Sequence, residues 1–127
     1  MASYGDYNLN SLVKRVGVAD GIYAFTAHFT TANGAAPTID TAKTRGVVSI
    51  ARTGEGVVRV TLPFALRNVS VQLSVAGRPA GAVDQALEWS HTEGTAVVDI
   101  TAKIASTGAA DDQPNTVIHA RIEGRNG

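Results

Sequence analysis

The chain has 127 residues, eleven basic and eleven acidic side chains, and no cysteine. That length fits one domain with a core of its own. The balanced charge argues against a broad electrostatic grip on nucleic acid, and without cysteine there is no disulfide, thiolate metal site or cysteine nucleophile. Apolar residues make up 44%, mostly Ala and Val, and 13 glycines beside only 17% charged residues point to an all-β protein with many turns. No apolar run approaches a membrane span, and the N-terminus lacks the basic-then-apolar order of a secretion signal. Synthesis in a cytoplasm is therefore expected, with no membrane and no nucleic acid among the partners.

Residues 1–10 (MASYGDYNLN) are polar and show no core periodicity, so they read as an extended arm whose Tyr4 and Tyr7 suit docking on a neighbour. Leu9, Leu12, Val13 and Val16 then fall at helical spacing, although a strand running into Val18 fits the same run. Residues 1–20 are taken as arm or short helix, and 21–127 as the β domain. In 22–31, Tyr23, Phe25, Ala27 and Phe29 alternate with Ile22, Ala24, Thr26 and His28, which predicts a strand with its aromatic side inward. Residues 32–45, with Asn33-Gly34 and Pro37, read as a loop carrying a short extended piece at 37–40.

The clearest stretch is 47–62, VVSIARTGEGVVRVTL. Val48 and Ile50 share one face of a strand, and Val58, Val60 and Leu62 share one face of the next. Gly54 and Gly56 are expected to supply the positive φ angles of a hairpin loop. Residues 63–68 are expected to turn the chain. Strands are then expected at 69–75, at 86–91 with Trp89, at 97–104 and at 117–123, where Ile118, Ala120 and Ile122 face in. About seven strands at these spacings suggest an antiparallel β-sandwich, with a Greek-key crossing a natural way to connect it.

No catalytic pattern emerges. His28, His91 and His119 are far apart in sequence and none lies at a metal-ligand spacing, so they read as surface or interface residues and no metal site or cofactor is expected. Gly54-Glu55-Gly56 is followed by strand, not helix, and so is a hairpin tip and not a phosphate cradle. Asp111 and Asp112 read as part of a solvated loop in preference to a calcium site, and Glu88 with Glu93 is the kind of acid pair that any β protein offers by chance. Arg52, Arg59, Asp99, Lys103, Arg121 and Glu123 are taken as outward strand positions that keep a sheet face soluble or form the rim of a protein contact.

The stretch 47–62 resembles the pattern V-S-S-V-x-R-T-G-x-G-x-Y-x-V-T-L of small virion proteins of tailed bacteriophages, including capsid decoration (cement) proteins and pieces of tail or head fibres. Its most specific part is Arg52-Thr53-Gly54-Glu55-Gly56, and Val58 stands where the pattern often has Tyr. The loop at 32–38 and the final strand at 117–122 are loosely similar as well. The resemblance implies a β-sandwich on the outside of a virion, where it bridges copies of the major capsid protein. It would be a homo-oligomer, with a trimer as the first expectation, and would have no catalytic residues. Tyr4, Tyr7 and Trp89 are the expected capsid or subunit contacts. The alternatives are a fibre or adhesion module, in which Trp89 would stack on a host glycan, and, last, a small hydrolase.

Overall fold

A computed structural model describes residues 22–79 and 85–126. The expected arm, with Tyr4 and Tyr7, and the short helix lie outside these residues. The described strands are β1 (Ile22–Ala32), β2 (Ala35–Ile39), β3 (Ser49–Gly54), β4 (Val57–Gly77), β5 (Gln85–Ser90), β6 (Thr95–Ile104) and β7 (Val117–Asn126). Every pairing is antiparallel, as expected of an all-β chain, and the strands form a single sheet in the order β2-β1-β7-β4-β6-β5, with β3 also paired to β4. The sheet curls on itself and brings β2 against β3, so its opposing walls enclose the core.

Strand β4 is the spine. Its first half pairs with β3 on one edge and β6 on the other, and its second half pairs with β7. The turn expected at 63–68 is absent, because β4 runs straight through it. Two features allow this. Pro63, which has no N–H to give to a ladder, sits where the pairing to β6 shifts register between Thr61 and Leu66. Asn68 takes a positive φ of 53° at the register shift between Arg67 and Ser70, and its N–H is received by both oxygens of Glu93 at 3.1 and 3.2 Å. Even-numbered residues (Val58, Val60, Leu62, Leu66) face the core before this bulge, and Val71 faces it afterwards. A one-residue slip in a strand would normally turn its oily face outward; the bulge absorbs the slip and keeps both halves on the core.

The core follows the predicted alternation. Tyr23, Phe25, Ala27 and Phe29 of β1 are buried, as are Val98, Ile100 and Ala102 of β6 and Ile118, Ala120 and Ile122 of β7. Phe64 meets Tyr23 and Phe25 edge-on, with ring centroids 4.9 and 5.8 Å apart, the arrangement that aromatic quadrupoles favour. The outward side of β4 and β6 carries the cross-strand ion pair Arg59–Asp99 at 2.8 Å, and Lys103 reaches Glu88 at 2.7 Å on β5.

Candidate functional site

The Arg52-Thr53-Gly54-Glu55-Gly56 tip is more than a turn. Gly54 pairs with Val57, leaving Glu55-Gly56 as a two-residue loop, and the register shift after Arg52 leaves Thr53 as a bulge. Only Gly56 of the two glycines has a positive φ, at 70°. Arg52 also departs from expectation. It pairs with buried Val58, so it starts from the inward face with Ile50 and is only 25% exposed. A guanidinium on an oily face needs an anionic partner, and Asp112 supplies it. Arg52 Nε and Nη2 donate to Oδ1 and Oδ2 of Asp112, each at 3.0 Å.

Asp112 is 6% exposed, which replaces the solvated-loop reading of Asp111 and Asp112. Its carboxylate also accepts the N–H of Gly34 at 2.9 Å and that of Gly56 at 2.8 Å, so it ties the β1–β2 turn, the β3–β4 turn and the 105–116 loop together. These donors fill the lone pairs a calcium ion would need. The Arg52 hydrogen bond, together with the two backbone N–H groups, holds the Asp112 carboxyl well below the usual carboxylate range, although burial opposes this. The same bond raises the Arg52 pKa. Thr31 anchors the rest of the loop: its hydroxyl donates to the Gln113 carbonyl at 2.6 Å and accepts the Thr116 N–H at 3.1 Å. The space left beneath this plug, between Arg52, Val58, Ile100 and Ile118, is about 10 Å³, enough for one water at most. The tip is a structural lock.

The histidines divide into two cases. His91 is structural: its Nε2 donates to the Thr95 carbonyl at 2.9 Å within the β5–β6 turn. His28 and His119, distant in sequence, are direct cross-strand partners on the side of β1 and β7 away from the core, but His28 is only 8% exposed and not the surface residue expected, because the 40–45 segment covers it. Their Nδ1 atoms are 3.1 Å apart, so one ring donates and the other accepts. The segment 40–45 runs along the outer edge of β1, where the Asp40 N–H donates to the His28 carbonyl at 2.9 Å and Thr26 and Arg45 exchange backbone hydrogen bonds. Burial, then the Lys43 ammonium and the His119 ring, lower the His28 pKa against the opposing pull of Asp40. Glu88 and Glu93 serve separate partners, Lys103 and the Asn68 backbone, and so form no acid pair. Among the described residues no group of three or more His, Asp or Glu is placed to hold a metal ion.

What remains is apolar surface. Val48, expected to share the buried face of Ile50, is 64% exposed, because β3 begins only at Ser49. With Ile39, Val47 and the polar Thr41, Thr44 and Ser49 it lines an open groove of about 260 Å³ between β2 and β3, floored by buried Ile50. Trp89 lies on β5, which pairs only with β6 among the described strands, and is 39% exposed. No protein-family model, curated protein or solved structure matches this chain.

Proposed function

We propose that this chain is a structural protein of a tailed-bacteriophage particle, a capsid decoration (cement) protein on the outer surface of the shell. The observation that carries this reading is the groove of Ile39, Val47, Val48 and Ile50, where a large aliphatic side chain is 64% exposed beside a locked hairpin. Aliphatic side chains exposed at Val48 and Ile39 on a rigid frame suit contact with another protein. The Arg52-Thr53-Gly54-Glu55-Gly56 tip that resembles virion proteins is the lock that holds this frame. The partners are then the major capsid protein and further copies of the chain itself, a trimer being the first arrangement to test. Each copy contributes a modest contact, and many copies bridging neighbouring subunits make the shell hard to open through avidity.

Mixing the purified chain with assembled shells, and separately with free capsid subunits, tests this. Cosedimentation with shells but not subunits, and greater heat resistance of decorated shells, are expected. Shells that neither bind the chain nor gain resistance would sink the proposal.

A fibre or host-adhesion module is the second reading, and Trp89, 39% exposed on a strand that pairs only with β6 among the described strands, favours it. Indole faces stack on sugars, so binding to a glycan array that disappears in Trp89→Ala would favour adhesion over cement.

A further inference from the structure

The His28–His119 pair plays no part in the groove, the lock or the edge strand, and its geometry has a chemistry of its own. The two side chains project from directly opposed positions of a regular antiparallel ladder. Their Nδ1 atoms are 3.1 Å apart and their ring planes are inclined at 59°. The β1–β7 pairing runs unbroken from Ile22 to Thr30 on one strand and from Val117 to Arg125 on the other, so the two rings are carried on rigid backbone.

We infer that His28 and His119 form a two-point chelate for a divalent transition-metal ion of the borderline class, Cu2+ or Zn2+, bound through both Nδ1 atoms. A metal ~2.0–2.1 Å from each imidazole nitrogen, with the nitrogens 3.1 Å apart, closes an N–metal–N angle of about 95–100°. That lies between the right angle of a tetragonal cupric site and the tetrahedral angle of zinc. The proton balance is simple. In the neutral pair one ring carries its proton on Nδ1 and donates it to the other Nδ1. On binding, that proton moves to Nε2 of the same ring, both Nδ1 lone pairs turn to the metal, and no net proton is released.

The surroundings set the strength. Asp40 attracts a cation at His28 and Lys43 repels one, while Arg121, the next outward residue on β7, is held by Glu123 at 2.8 Å. With only two protein ligands, water fills the remaining positions. The affinity is lower than that of a three-histidine centre, and Cu2+ binds more tightly than Zn2+.

The test is titration of the intact chain with Cu2+ and with Zn2+, followed by calorimetry and by NMR of the imidazole groups. One Cu2+ per chain is expected with a Kd of about 100 μM or tighter, with His28 and His119 signals broadened at substoichiometric metal before those of His91. His28→Gln and His119→Gln are each expected to weaken binding at least about tenfold, since either leaves a single ligand. His119, the more exposed ring, supplies the decisive variant if His28→Gln does not fold. Broadening that begins at His91 or at the N-terminus, or wild-type affinity in His119→Gln, would overturn the inference. None of these readings depends on shell binding.

Discussion

Arg52 and Asp112, separated by 60 positions in the chain, meet in a two-pronged ion pair with both N–O distances at 3.0 Å. The carboxylate is buried and also caps two backbone N–H groups from different turns, so one side chain closes one end of the curled sheet.

Asp112→Ala leaves the Gly34 and Gly56 N–H groups and the Arg52 guanidinium without their partner. Loss of about 3 kcal/mol is expected, the usual scale for breaking a buried charged contact from one side, and equilibrium urea unfolding measures it. The carboxyl titrates lower folded than unfolded, so its stabilisation is complete above the ordinary Asp pKa and is lost as pH falls through the lowered folded value. Asp112→Asn is expected to flatten the acid limb of the stability curve.

Gly56→Ala tests the tip itself. A Cβ there would stand 2.6 Å from the Ala102 carbonyl oxygen and 2.7 Å from the Asp111 nitrogen, on a residue with φ of 70°. Strain and displacement of the plug loop are expected to cost about 2 kcal/mol or more. Gly54→Ala, with open space around its Cβ and no positive φ, is expected to cost less. Thermal midpoints of the two variants decide the ranking.

The histidine pair predicts a second pH effect with a definite sign. Burial, Lys43 and His119 lower the His28 pKa below 6.5 while Asp40 opposes them, so the unfolded chain binds protons more readily at this site. Stability from this source is present above about pH 6.5 and declines as pH falls through the lowered folded value. His28→Gln is expected to remove this part of the pH dependence, as read from denaturant midpoints between about pH 5 and 7.5.

Val48→Asp separates surface from fold. With the side chain 64% exposed, stability is expected to change by no more than about 0.5 kcal/mol. Attachment to shells, measured by cosedimentation, is expected to fall at least about tenfold if the groove is the contact.

Strands β1, β6 and β7 were legible because their buried faces alternate without a break. Strand β4 was not, because its apolar residues change parity between Leu66 and Val71, and a parity change in sequence looks the same whether the chain turns or bulges. The Asn68 bulge and the register shift at Pro63 resolve it as one strand. The lock was hidden for a different reason. Asp112 looks solvated because its partners come from turns 56 to 78 positions away. The missed signal lay at Arg52, which period two places on the face of Ile50; an arginine there calls for a buried carboxylate. The histidine pair depends on the register of the first described strand against the last, which no local pattern carries.

The proposed role, holding neighbouring proteins together on the outside of a virion, is open to one direct test. Electron cryomicroscopy of the native particle tests it most directly. The account predicts repeated density of this β fold on the outer shell where capsid subunits meet, with the Val48 groove turned toward a neighbour. Particles with no such density, or with this fold only in the interior, would contradict it.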